Sequence, residues 1–225
     1  QGREARNKRR IGLGFTGLGS ALVMLGIRYN SPEGLEMIET IARQLRDDAY
    51  WASVELAKER GPFPIFDAEQ YLQSSFVKRL PEDLREAIAE HGIRNSHLTS
   101  IAPTGTISLT IGNNVSGGIE PVFGWGFYRK VTAEDGSIEE HRVEEYAYRA
   151  YKAWGGDTDN LPESFVTALE MSAQDHLNAV AAVAPYIDSA ISKTVNVPAD
   201  YPFADFEDLY TQAFEAGLKG ITTYR

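Results

Sequence analysis

Residues 95–123 read NSHLTSIAPTGTISLTIGNNVSGGIEPVF, the least helix-like stretch of the chain, with long helical patterns on both sides. Residues 98–102 form a short apolar, β-branched run that suits a buried strand. Pro103 has no N–H to give and ends the ladder there. Gly105 lets the backbone turn and lets a ligand come close. Thr104, Thr106 and Ser108 add hydroxyls. If residues 107–111 open a helix, free N–H groups point at the loop mouth and the helix dipole favours an anion. Pro103, Thr104, Gly105, Thr106, Ile107 and Ser108 therefore read as a phosphate cradle. The alternative is an ordinary strand-to-helix turn capped by Thr104 or Thr106.

Composition narrows the possible partners. The chain has 225 residues, 43% of them hydrophobic, which suits one domain or a piece of one. Its 22 Lys+Arg against 32 Asp+Glu give a net charge of −10. That balance argues against nucleic acid, whose binding rests on basic patches. It leaves room for one anionic small molecule held by backbone groups. No apolar run is long enough to span a membrane and no signal peptide is visible, so a cytoplasmic location is expected. There is no cysteine. Disulfides, thiolate metal sites and cysteine chemistry carried by this chain are thereby excluded.

On the N-terminal side, residues 1–10 are basic and read as an exposed lead-in. Residues 11–27 (IGLGFTGLGSALVMLGI) carry Gly12, Gly14 and Gly17 at dinucleotide-fingerprint spacing. The fingerprint needs a preceding strand, and NKRR precedes it here. A buried helix whose glycines permit close packing fits better. Ser31-Pro32-Glu33 is a helix start, and apolar residues then recur at helical spacing to about Arg60. Asp67 caps a short helix, and residues 81–90 form another, closed by His91-Gly92. On the C-terminal side, residues 122–132 read as extended and Asp135-Gly136 as a hairpin turn. Helices are expected over 143–154, 172–184 and 206–216, with a β-rich end at 219–225. The tyrosines of 143–154 read as core or interface. His176, with no second His at i+4, is not expected to bind zinc.

RRIGLGFTGLG, ELAKERGPFPIFD, HGIRNSHLTSIAPTGTIS, GGIEPVF, YIDSAISKTVNVP and GLKGITTYR occur in that order and span nearly the whole chain. Together they resemble the large catalytic subunit of ribonucleotide reductase, in particular its adenosylcobalamin-dependent (class II) branch. The resemblance implies a helix-rich α/β fold, the C-terminal half of a ten-stranded α/β barrel. It implies conversion of ribonucleotides to deoxyribonucleotides by radical chemistry, with adenosylcobalamin as cofactor. In that family the loop matching Pro103 to Ser108 binds the substrate's diphosphate. The stretch matching Gly118-Ile119-Glu120-Pro121 lies near the same site; the alternative is a structural turn with a buried or capping Glu120.

The chain departs from the family in having no cysteine for the thiyl radical or the reducing pair. It is expected to need the N-terminal half of the barrel or a partner chain that carries them. The alternative is a non-enzymatic fragment that binds a nucleotide or a partner. Residues 221–224 (ITTY) stand where the oxygen-dependent branch has paired tyrosines, which fits a radical made locally. Open strand edges make a homo-oligomer possible.

Overall fold

The computed structural model describes residues 1–224; Arg225, last of the expected β-rich end, lies outside the described residues. The chain is a mixed α/β structure rich in helix. In order it forms α1 (Gly2–Lys8), α2 (Leu18–Met24), α3 (Pro32–Arg60), α4 (Ala68–Gln73), α5 (Glu82–His91), α6 (Gly105–Thr110), β1 (Gly126–Thr132), β2 (Ile138–Glu144), α7 (Tyr146–Ala153), α8 (Ala173–Val183), β3 (Thr194–Asn196), α9 (Phe203–Glu215) and β4 (Thr222–Tyr224). β1 and β2 pair antiparallel, β3 and β4 parallel. No closed barrel forms among the described residues. No helix among them is long and apolar enough to cross a membrane.

The chain divides into two compact units. The first comprises Gln1–Gly14, Ile38–Ile101 and Ala182–Ile191. Its core gathers Tyr50 and Val54 of α3, Leu84 and Ile88 of α5, and Phe63, Ile93 and Leu98. Full burial of such side chains contributes about 1.5–3 kcal/mol each. The run 98–102 is extended, but among the described residues it pairs through single parallel bridges, Leu13 with Thr99 and Ile101 with Ile191. Asp188 completes the pairing: its carboxylate accepts the N–H groups of Leu98 (2.6 Å) and Thr99 (3.1 Å) and the Tyr50 hydroxyl (2.8 Å). A side chain thus satisfies backbone donors that a neighbouring strand would otherwise take.

These bridges correct the reading of 11–27 as one helix. Residues 11–14 are extended, and a Cβ on Gly14 would collide with the Ser100 carbonyl. The glycine is there for close backbone approach to the 99–101 segment. The helix starts only at Leu18. The expected lead-in is likewise structured in part, as the exposed α1.

The second unit comprises Phe15–Met37, Ala102–Ala181 and the chain from Ser192. Ser31 Oγ accepts the Gly34 N–H at 3.0 Å, as the helix-start signal at the head of α3 predicts. The β1–β2 hairpin turns at Asp135-Gly136, where Asp135 accepts the Ser137 N–H at 2.9 Å. β2 runs on to Glu144, and α7 begins later than residue 143 because Glu145 caps it, accepting the Tyr148 N–H at 3.0 Å. Tyr148 and Tyr151 pack with Trp125 and Phe165. A small core of Ala173, Leu177, Val195, Leu209 and Ala213 joins α8, β3 and α9.

Candidate functional site

The 103–108 loop enters α6 from the N-terminal side. The first bond of that helix runs from the Ser108 N–H to the Thr104 carbonyl at 2.8 Å. The N–H groups of Gly105, Thr106 and Ile107 precede it and have no intrahelical acceptor. Pro103, Gly105, Thr106 and Ile107 are exposed, Thr104 is half-buried and Ser108 is buried. A Cβ built on Gly105 meets nothing within 4 Å.

Two details correct the sequence reading. The left-handed residue is Thr104, with φ 51° and ψ 21°, and Gly105 is an ordinary helical residue. A β-branched residue rarely adopts that conformation, so something must hold it. Its Oγ1 accepts the Gly118 N–H at 2.6 Å and lies 2.8 Å from Thr16 Oγ1. The second detail concerns the hydroxyls. Ser108 Oγ donates back to the Gly105 carbonyl at 2.9 Å. Thr104 and Ser108 are therefore turned inward, and Thr106 is the hydroxyl left at the exposed mouth.

Behind the loop, Gly117 and Gly118 press backbone against backbone. A Cβ on Gly117 would stand 2.7 Å from the Pro103 carbonyl, and one on Gly118 would collide with that of Ala102. The turn continues into Ile119, whose carbonyl accepts the Tyr29 hydroxyl, and Glu120. Glu120 Oε1 accepts the Thr194 N–H at 2.7 Å, which ties the turn to the start of β3. Glu120 Oε2 lies 2.7 Å from Lys193 Nζ, an ion pair rather than a well-aligned hydrogen bond. The Lys193 ammonium also donates to the Thr194 carbonyl (2.6 Å) and contacts His176 Nδ1 (2.8 Å). Facing a cation, Nδ1 must accept, so the ring proton sits on Nε2 and is donated to the Ala168 carbonyl at 3.1 Å. Burial lowers the Lys193 pKa, and Glu120 opposes that shift. Burial first, then Lys193, pushes His176 down to about 4.

The model of the ribonucleotide reductase barrel domain matches residues 1–224. The chain belongs to that family. It is 35% identical to a vitamin B12-dependent ribonucleoside-diphosphate reductase of Mycobacterium tuberculosis, over all of this chain and 32% of that protein. It is 34% identical to one of Thermoplasma acidophilum, over 98% of this chain and 28% of that protein. A vitamin B12-dependent ribonucleotide reductase of Streptomyces coelicolor is 26% identical, over 100% of this chain and 28% of its own length. The chain thus spans about a third or less of the length of these relatives.

The six loop residues are consecutive, from Pro103 before α6 through its first turn, with Ser108 buried and the others exposed or half-buried. Glu120 sits behind that turn as a structural acceptor, which agrees with the buried or capping reading. Two cavities of about 350 and 420 Å³ flank β3 and β4. Val197, Tyr201, Phe203, Phe206 and Thr223 line one; Phe123, Leu169, Thr194, Asn196, Val197 and Tyr224 line the other. Among the described residues, both linings are apolar and neutral polar. Sequence reading missed Thr16, Lys193 and the role of His176. No set of His, Asp and Glu that could hold a metal occurs among the described residues.

The buried imidazole gives a pH-dependent expectation. The folded-state pKa of His176 lies below its ordinary 6.5. Its contribution to stability is present above 6.5 and is lost as pH falls toward about 4, where the unfolded chain has taken up a proton that the folded chain refuses. The loss is on the order of 3 kcal/mol. Glu145 opposes it: burial raises its pKa, so its share of stability grows as pH falls. Denaturant midpoints should therefore drop through this window in the parent and drop less in His176→Gln. Identical slopes would remove His176 as the cause.

Proposed function

We propose that this chain is the part of a vitamin B12-dependent ribonucleotide reductase that holds the substrate's diphosphate, with Pro103, Thr104, Gly105, Thr106, Ile107 and Ser108 as the binding loop. The observation that carries this reading is the run of helix-start N–H groups without an intrahelical acceptor at three exposed residues, Gly105, Thr106 and Ile107, with open space where a Gly105 side chain would stand. Backbone donors of this kind suit phosphate oxygens, and charge-assisted bonds are the strong ones. Membership of the reductase family and the names of the relatives supply the reaction: reduction of a ribonucleotide to a deoxyribonucleotide.

The radical and reducing cysteines come from outside this chain, from the N-terminal half of the barrel or from a partner chain. In this reading β3 and β4 are strands of the ten-stranded barrel, and their open edges pair with that half. A homo-oligomer is compatible with it. Adenosylcobalamin would supply the radical in the complete enzyme.

The test is Gly105→Val in the assembled reductase. The added side chain has room and an ordinary backbone angle, so thermal stability should stay at the parent value. Its bulk stands where a phosphate must approach. Loss of even one charge-assisted bond lowers affinity about 10- to 100-fold. Calorimetry with a ribonucleoside diphosphate reads the effect directly. Thr106→Val should cost less, because most donors are backbone groups. Parent affinity in Gly105→Val would reduce the loop to an ordinary turn.

A further inference from the structure

The glycine-rich stretch that fails as a dinucleotide fingerprint contributes one residue to the candidate site. We infer that Thr16 is a positioning residue for the 103–108 loop; the inference rests on the diphosphate-binding reading of that loop. Proton bookkeeping carries it. Thr16 Oγ1 lies 3.2 Å from the Ser116 carbonyl, which cannot donate, so the proton between them belongs to Thr16. Thr104 Oγ1 already accepts the Gly118 N–H. The 2.8 Å contact between the two hydroxyls is then made by Thr104 donating and Thr16 accepting. Every hydrogen in the chain Gly118, Thr104, Thr16, Ser116 runs one way.

Two consequences follow for the loop. The Thr104 proton is committed inward, so Thr104 offers no donor to an anion. Its task is to hold a left-handed angle that a β-branched residue resists. That angle sets the direction in which the next N–H groups leave the chain. Thr16 holds Thr104 from one side, and Gly118 holds it from the other.

Thr16 is itself firmly anchored. The Ser116 carbonyl also accepts the Gly17 N–H at 2.8 Å. Ser20 and Ser116 exchange bonds, each backbone N–H to the other's hydroxyl, at 3.2 and 2.9 Å. The Ser20 hydroxyl donates onward to the buried Glu145, the cap of α7. Thr16 thus links the loop to a satisfied buried network, and such networks rigidify what they hold.

The experiment compares Thr16→Val, Thr16→Ser and Gly105→Val in the assembled reductase, reading KM and kcat for a ribonucleoside diphosphate together with melting temperature. Thr16→Val keeps the shape and removes the hydroxyl. It should raise KM about 2- to 10-fold, the range of one net hydrogen bond, with kcat held. Thr16→Ser should restore the parent KM. If Gly105→Val raises KM and Thr16→Val does not, the positioning role is overturned and the loop reading survives. If neither raises KM, both fall. If Thr16→Val does not fold, Thr16→Ala takes its place: a parent KM in Thr16→Ala would show that the hydroxyl does no positioning.

Discussion

Lys193→Met is expected to destabilise the chain by about 3–5 kcal/mol. The Lys193 side chain is 1% exposed and its ammonium serves Glu120, His176 and the Thr194 carbonyl together. Methionine keeps the volume of the stem and removes the charge. Glu120, whose side chain is 12% exposed, is then left as a nearly buried carboxylate without its cation. His176 Nδ1 loses its donor as well. The cost is that of stranding the partners, which exceeds the net worth of the pair itself. The double variant Lys193→Met with Glu120→Gln should therefore recover most of the loss. Glutamine can still accept the Thr194 N–H, and no buried charge remains. Denaturant unfolding at neutral pH, read as a midpoint shift at constant slope, measures both. A single variant within about 1 kcal/mol of the parent would show that water reaches the pair and that the cluster is not a buried clamp.

Local signals in the sequence located the elements well. Ser31-Pro32-Glu33, the Asp67 cap, His91-Gly92 and Asp135-Gly136 each act within a few residues of themselves, and each stands where expected. The loop at 103–108 was legible as an exposed turn into a helix for the same reason. What was not legible depends on partners far along the chain. Nothing around residue 188 says that Asp188 will take the N–H groups of Leu98 and Thr99. Glu120 and Lys193 stand far apart in sequence, and neither carries a periodic signal. Glycine spacing at 12 and 14 looked helical because the reason for it, the Ser100 side chain beside Gly12 and the Ser100 carbonyl beside Gly14, is a distant neighbour. The left-handed angle fell on Thr104 instead of Gly105 because hydrogen bonds of its side chain with Thr16 and Gly118 outweigh local preference. Those bonds would have been foreseen only by noticing that Thr16, Thr104 and the Gly117-Gly118 pair are small or hydroxylated residues flanking the same turn.

Gly118→Ala should have the second large effect, on the loop and on stability together. Gly118 has φ +46°, an angle costing an L-residue about 1–2 kcal/mol. Its added methyl would also run into the Ala102 carbonyl, a backbone atom that cannot rotate away as a side chain could. Overpacking of this kind costs about 1–3 kcal/mol. The two together predict a loss of about 2–5 kcal/mol. The strain would be relieved by moving Gly118 away from Ala102, and that movement breaks its 2.6 Å bond to Thr104. Thr104 then loses one of the two contacts that keep it left-handed, and the donors of Gly105, Thr106 and Ile107 lose their common direction. On the proposed diphosphate-binding reading of the loop, ribonucleotide affinity in the assembled reductase should therefore fall even at temperatures where the variant is fully folded. Gly136→Ala is the control, since Gly136 has φ +83° but open space around its Cβ position. It should show the angle penalty alone, about 1–2 kcal/mol, with affinity unchanged. Equal losses at the two positions would mean that the Ala102 carbonyl yields easily and that the backbone contact behind the loop does not hold it in place.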